Sequence, residues 1–211
     1  MKQVISFFAV MAILFSACTG SNKKQNEQVN TDAELHQEDA GHHHNMEMGS
    51  DMEHHMDTSP IIVLESPSSS GVINAYLKIK NALVADNGKE AAIAGKDLVN
   101  AFDKFDKSSV PKDKLSEYEE IIEDARENAE HISENKGNIE HQREHFELLG
   151  TDIKDLVVIG GTDRTLYQIY CPMYKNNEGG SWLSASSEVK NPFFGSKMLT
   201  CGEVKSKISI K

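Results

Sequence analysis

Several features that would assign a function directly are missing from this 211-residue chain. Positive charge is scarce, since the chain has 22 Lys and Arg against 33 Asp and Glu. The resulting net charge of −11 argues against nucleic acid or an anionic membrane surface as a partner. No phosphate-binding loop, nucleotide-binding glycine fingerprint or Ser-His-Asp arrangement stands out. Cysteine is also rare, with three residues in the whole chain. These absences direct attention to metal ligands rather than to catalysis on an organic substrate.

The first 17 residues have the pattern of an export signal. Lys2 supplies the positive start, and the apolar run Val4–Phe15 is shorter than the roughly 20 residues that a membrane-spanning helix needs. Leu14–Cys18 resembles a bacterial lipobox, although its second residue departs from the usual leucine. We therefore predict a lipoprotein signal peptide at residues 1–17, lipidation of Cys18, and a lipid-anchored, periplasm-facing protein of the bacterial cell envelope. Cleavage that leaves a free cysteine is the alternative.

The segment that follows, residues 18–60, predicts a disordered tether that can bind metal. From Thr19 to Pro60 there is no Phe, Trp or Tyr, so the segment cannot bury enough apolar area to offset its ordering entropy. It is nevertheless rich in imidazoles, which suit Cu(II), zinc and nickel, and in thioethers, which suit Cu(I). Low complexity without a binding role is the alternative. The candidate ligands are His42, His43, His44, Met46, Met48, Met52, His54, His55 and Met56.

Residues 61–211 predict one folded, mainly α domain. Apolar residues recur at intervals of three and four in four stretches, which is typical of helices with one buried face. Because the connections are short, the natural packing is an antiparallel four-helix bundle. After Gly161 the pattern alternates, which predicts a small irregular or β segment at the C-terminus. The helical stretches cover residues 72–83, 91–105, 115–132 and 139–156.

The C-terminal segment contains two cysteines, each with a methionine nearby. Cys171 lies two residues before Met173, and Cys201 lies three residues after Met198. Thiolates and thioethers are soft ligands that select Cu(I). The alternative is a Cys171–Cys201 disulfide, the default in an oxidising compartment, which would close a loop of about 30 residues and stabilise the fold by roughly 3–4 kcal/mol. The methionines would then fill gaps in the core.

The helical region offers a further candidate site. His141 and His145 are four residues apart and share one face of the fourth predicted helix, and His131 can approach them across an antiparallel hairpin. Histidines that merely pack at a helix boundary are the alternative. Residues 141–145 also spell H-x-x-E-H, the inverted zinc-protease motif, in which Glu144 would activate water. We do not favour that activity, because the chain that follows is short and offers few carboxylates for a third ligand.

Two segments together resemble a known family, domain of unknown function 3347. One is the helical stretch His131–Phe146, and the more specific one is the tail Tyr170–Gly202 with its Cys-Pro-Met, Gly-Ser-Trp-Leu-Ser, Asn-Pro-Phe-Phe-Gly and Met-Leu-Thr-Cys-Gly sequences. The resemblance covers residues 70–205 approximately and leaves the tether outside. The family occurs in envelope lipoproteins and attached to membrane-fusion subunits of copper and silver efflux pumps. The resemblance therefore implies a helical domain linked to heavy-metal resistance. By analogy it implies a ligand role for Cys171, Met173, Met198 and Cys201, with His131, His141 and His145 as second candidates.

We therefore expect an envelope lipoprotein, not an enzyme, that binds copper. Cu(I) is favoured, and Cu(II), Ag(I) or zinc are the other ions that these ligands suit. The protein would buffer the metal or deliver it to an efflux system, with a membrane-fusion subunit as the partner. The alternative function is an interaction module of an efflux complex that binds no metal and is held together by the Cys171–Cys201 disulfide.

Overall fold

The computed structural model describes residues 60–211, which are mainly helical, as the sequence predicts. The signal peptide, Cys18 and the ligands of the tether lie outside the described residues. In sequence order, each helix packs against the next, and the first also contacts the fourth. None of the helices in the described part has the length and apolar character needed to cross a membrane. The four long helices are α1 (Ser70–Val84), α2 (Gly88–Asp103), α3 (Leu115–Glu134) and α4 (Ile139–Gly160), and a single turn, α5 (Tyr174–Asn177), follows β2 of the sheet described next.

A four-stranded sheet completes the domain, in the spatial order β1-β4-β2-β3. The inner strand β2 pairs antiparallel with both β3 and β4. The sheet is not confined to the C-terminus, however, because the apolar residues before the helices form β1, which pairs in parallel with β4. The strands are β1 (Ile61–Val63), β2 (Leu166–Cys171), β3 (Gly180–Ser184) and β4 (Glu203–Ile210).

Asparagine caps and two glycines fix how the helices begin, end and approach. The side chains of Asn87 and Asn138 accept backbone N–H groups at the starts of α2 and α4. Gly95 brings α2 against α3, since a Cβ at this position would lie 2.8 Å from the Ala129 carbonyl oxygen. Gly161 ends α4 with φ 86°, and a Cβ there would overlap the Leu64 carbonyl oxygen. Helix packing is therefore set by close backbone contact.

The core lies between the helices and the sheet. Tyr76 of α1 stacks on Phe146 of α4 with ring centroids 5.1 Å apart. The Tyr76 hydroxyl also accepts the backbone N–H of Leu183 in β3 at 3.0 Å, so this buried polar atom is satisfied. Trp182 and Phe193, both buried, meet edge to face at 5.5 Å. The aromatic residues of the C-terminal segment thus join the helices into one core.

Arg143 is a buried cation that ties three parts of the chain together. Its side chain, 3 % exposed, extends from α4 and donates to the carbonyl oxygens of Leu83 and Pro192. It also pairs with Asp86, just after α1, at 2.5 Å and with Glu140 at 3.2 Å. A buried charge is tolerated when paired and hydrogen-bonded in this way. Arg143 therefore fixes α4 relative to the end of α1 and the C-terminal segment.

Candidate metal centre

Local structure brings the three helical histidines to the seam between α3 and α4. His131 lies in the last turn of α3, and His141 lies in the first turn of α4, where its backbone N–H is accepted by the Asn138 cap at 3.3 Å. The neighbouring buried Gln142 donates to the carbonyl oxygen of Ile132 at 2.9 Å. This bond links α4 to α3 directly beside the cluster, because Gln142 follows His141 and Ile132 follows His131. The helix ends that present the imidazoles are therefore held in register.

His131, His141 and His145 form a compact cluster of imidazoles. One ring nitrogen from each lies within 4.8 Å of those of the other two. The rings of His131 and His145 are parallel, with centroids 4.2 Å apart, and His141 meets His145 edge to face at 4.6 Å. In residues 60–211, this is the only group of three or more His, Cys, Asp or Glu side chains that converges in this way. Three imidazoles on a half-exposed surface can bind a transition-metal ion and leave a coordination position open.

Hydrogen bonds orient two of the three imidazoles. Nδ1 of His141 lies 3.1 Å from Oε2 of Glu144, and Nδ1 of His145 lies 3.0 Å from Oδ1 of Asn128. Such partners are typical of metal-binding histidines, because they fix the ring and leave the other nitrogen free for the ion. The third ring has a looser neighbour, with His131 Nε2 3.9 Å from Glu127 Oε1. Glu144, the residue that would activate water in a zinc protease, is thus hydrogen-bonded to a candidate ligand.

The electrostatic setting favours a cation beside neutral imidazoles. Partial burial lowers the pKa of His145, and the nearby His131 and His141 lower it further, so the imidazole keeps the neutral form that binds metal. A shallow cavity of about 410 Å³ opens beside His145 and is lined by the carboxylates of Asp124, Glu127 and Asp152. Burial raises the pKa of Asp152 to about 6, so this group is mostly ionised at pH 7. The histidine cluster therefore faces a surface of negative charge.

The structure also brings the two predicted tail cysteines together. Cys171 is the buried last residue of β2, and its Sγ lies 2.7 Å from Sγ of Cys201. The carbonyl group of Cys201 accepts the Asn191 side-chain amide at 2.7 Å, which fixes the loop before β4. Burial raises the pKa of the Cys201 thiol to about 11, and the Cys171 thiol adds to this shift. Adjacent thiols of this kind suit either predicted role, a disulfide or a pair of thiolates on Cu(I).

The two methionines near these cysteines differ in their surroundings. Met173 follows β2 with its side chain 49 % exposed, beside a cavity of about 540 Å³ that is also lined by Tyr174, Phe193 and Lys197. Met198 is half-buried in the loop before β4. Of the four predicted tail ligands, the structure therefore brings the two thiols into direct contact, and the thioether of Met173 faces outward.

Asn128 and Asp152 were not among the residues singled out in the sequence. Asn128 donates from Nδ2 to Asp152 Oδ2 at 3.1 Å while its oxygen faces His145, so the two residues support the histidine cluster from behind. A signal was present for Asn128, which lies three residues before His131 and so on the same face of α3. Asp152 has a weaker signal: it lies on the same face of α4 as His145 but two turns away, so no histidine of its own helix is three or four residues from it.

Comparison with known proteins gives a family and no activity. The family model described as "Protein of unknown function (DUF3347)" matches residues 72–165, which span α1 to α4 and the approach to β2. The match includes all three histidines and ends before both tail cysteines. No curated protein and no solved structure matches the chain.

Proposed function

Because residues 72–165 of this chain belong to the family described as protein of unknown function (DUF3347), which names no activity, we propose its function from the histidine cluster: the protein binds a transition-metal ion through His131, His141 and His145. The observation that carries the proposal is the convergence of three ring nitrogens within 4.8 Å of one another. The hydrogen bonds to the far nitrogens of His141 and His145 support it.

The ion we propose is copper. Imidazole nitrogen suits copper, zinc and nickel, and at a given nitrogen site Cu(II) binds more tightly than the other divalent first-row ions. The predicted tether adds thioethers for Cu(I), and the tail adds two thiols. Silver(I) and zinc are the ions that compete for these ligand types. Three protein ligands with an open position allow the ion to be exchanged, which suits a buffer or a delivery protein.

The setting we propose is the bacterial cell envelope. The lipobox-like Leu14–Cys18 would give a lipid anchor facing the periplasm, and the His- and Met-rich tether would capture ions for the domain to hold or transfer. A heavy-metal efflux membrane-fusion subunit would then receive the metal. The role we propose is metal binding rather than catalysis. Its support is the hydrogen bond between the Glu144 carboxylate and His141 Nδ1, which occupies the group that would activate water in a zinc protease.

We further propose that α1 to α4 form an antiparallel four-helix bundle. The α1–α2 and α3–α4 connections, residues 85–87 and 135–138, are short, and the α2–α3 connection is longer and contains two 3₁₀ turns. Helix α1 contacts α4 as well as α2. Helices joined by short loops pack as antiparallel neighbours in such bundles. In this arrangement the end of α3 meets the start of α4, which is where His131 and His141 lie.

The test is a Cu(II) titration of the full mature chain by calorimetry and electron paramagnetic resonance. The background variant carries asparagine at the six histidines that precede residue 60, so that only the cluster contributes imidazole. We expect one equivalent with nitrogen hyperfine structure, and its loss in a His141→Ala, His145→Ala variant whose circular dichroism is unchanged. No nitrogen-coordinated equivalent in the background variant would overturn the proposal, as would its persistence without the two histidines.

A Cys171→Ser, Cys201→Ser variant separates the alternative function, a disulfide-held interaction module. Adjacent thiols are the observation that favours this alternative. If the pair is a structural disulfide, the variant loses about 3–4 kcal/mol of stability and keeps its metal content. If the pair binds Cu(I), an anaerobic titration with a competing chelator shows a lost equivalent and a folded domain. The exposed Ser186→Ala variant is the control for handling.

A further inference from the structure

Asn128 makes three hydrogen bonds that together determine the orientation of its amide. The two hydrogens on Nδ2 point to Asp152 Oδ2 and to the Asp124 carbonyl oxygen, each at 3.1 Å. Its Oδ1 lies 3.0 Å from Nδ1 of His145. The reverse orientation would place the amide oxygen against two acceptors and leave both of its interactions unfavourable. The amide is therefore held with its oxygen toward the histidine.

This orientation determines which nitrogen of His145 carries the hydrogen. An amide oxygen only accepts, so Nδ1 of His145 must donate to it. In a neutral imidazole the other nitrogen, Nε2, then has a free lone pair. The same reasoning applies to His141, because the carboxylate of Glu144 faces its Nδ1 at 3.1 Å. Two rings of the cluster thus offer Nε2, the nitrogen opposite their protein partner.

Resting on the proposed metal function, we infer that Asn128 is a positioning residue: together with Asp152 it holds His145 as the Nδ1–H tautomer, so that Nε2 is the ligand atom. In water the Nε2–H tautomer of a free histidine side chain is the more common one, so the apo protein holds the ring in the less common form. The ion then meets a prepared lone pair. Loss of such an outer partner typically lowers metal affinity by about 10- to 100-fold.

The tautomer can be read without any metal. Long-range proton–nitrogen NMR spectra of the ¹⁵N-labelled full chain distinguish the two ring nitrogens by their shifts, and a His145→Gln variant assigns the signal. At pH 7.5 we expect His145 of the metal-free protein to be protonated on Nδ1. A wild-type signal from the Nε2–H tautomer would overturn the inference. This measurement does not depend on whether the protein binds metal.

The second arm tests positioning by changing Asn128. Asn128→Ala is made in the background variant that carries asparagine at the six histidines before residue 60. We expect His145 to return to the Nε2–H tautomer and the Cu(II) affinity to fall by about 10- to 100-fold. Asn100→Ala, which changes an exposed asparagine on α2, is the matched control and should alter neither the tautomer nor the Cu(II) affinity.

An Asn128→Ala protein with the altered tautomer and unchanged Cu(II) affinity would overturn the positioning role. If the background variant with Asn128 intact shows the Nδ1–H tautomer but binds no Cu(II), the proposed metal function is wrong and the inference about the tautomer stands.

Discussion

Asp152 lies where burial disfavours the charge of its carboxyl group. Burial raises its pKa to about 6. The hydrogen bond from the Asn128 amide lowers this pKa in part, and the neighbouring charges of Asp124 and Asp155 raise it. In the unfolded chain an aspartate has a pKa near 3.9. A raised pKa in the folded state means that the stability contributed by the protonated form is present below about pH 4 and is lost as the pH rises through 6. Asp152 therefore supports the histidine network at a cost in stability at neutral pH.

This cost predicts that Asp152→Asn stabilises the metal-free protein at pH 7 by about 1–2 kcal/mol, a range that allows for partial exposure of the carboxyl group. Asparagine keeps an acceptor for the Asn128 amide and removes the buried charge. Urea unfolding at pH 7 and pH 4 is the measurement, and the difference should vanish at pH 4. Asp113→Asn, an exposed carboxylate before α3, is the control. Equal effects at both pH values would contradict the explanation.

At the same scale, the sequence predicts the ligands of the histidine cluster better than their supports. The spacing of His141 and His145 places them on one helix face whatever the tertiary structure is. The hydrogen bonds that join His145, Asn128 and Asp152 depend on the rotation of α3 against α4 by a fraction of a turn. No local pattern encodes that rotation, since it follows from the packing of the core between the two helices.

The start of α4 links helix stability to the metal centre. Asn138 and Asn87 make equivalent caps, accepting N–H groups three residues ahead at 3.3 Å and 3.1 Å. Only the Asn138 cap bonds to a histidine of the cluster, His141. The turn that it stabilises is therefore part of the metal centre, whereas the turn at Asn87 is not.

We predict that Asn138→Ala and Asn87→Ala each lower the free energy of unfolding by about 1 kcal/mol. Asn138→Ala should in addition weaken Cu(II) binding by up to about fivefold, because the ion must order a frayed turn at an equivalent cost. Chemical unfolding and calorimetric titration of both variants are the measurements. A matching loss of Cu(II) affinity in Asn87→Ala would show that the effect is one of general stability.

The helices were predicted closely and the first strand was not. Ser, Gly and Asn residues mark the ends of α1 to α4, so local sequence gives their bounds within a few residues. The stretch Ile61–Val63 has three residues, and its partner β4 lies at the other end of the domain. A strand that short has no periodicity to read. Its existence depends on the pairing of distant segments, which local reasoning does not reach.

In the molecule as a whole, Arg143 and Asp86 connect the helices to the C-terminal segment. Hydrogen bonds from Ser196, and then from Arg143, hold the pKa of Asp86 at about 2. The folded pKa lies below the unfolded value near 3.9, so the stability that this carboxylate contributes is present above about pH 4 and is lost as the pH falls to 2. Asp86 is 38 % exposed, which reduces the size of the effect.

We predict that Asp86→Asn lowers the free energy of unfolding at pH 7 by about 1–2 kcal/mol, since asparagine accepts the same donors without the charge. Asparagine also tolerates the positive φ of 54° found at this residue. Unfolding followed between pH 7 and pH 2 should show the variant and the wild type converging toward pH 2. Asp97→Asn, which breaks an exposed pair with Lys78, should leave the curve unchanged. Parallel curves for Asp86→Asn and the wild type down to pH 2 would contradict the role of this ion pair.

The parallel pairing of Ile61 with Ile208 has a consequence for the order in which the domain assembles. During synthesis β1 leaves the ribosome first, and it has no partner until the last residues of the domain have been made. The α3–α4 hairpin, by contrast, is built from contacts close in sequence, which form fast. The three imidazoles therefore come together on a hairpin that can form while the sheet is still open, and a nascent chain stalled before β4 would already present them.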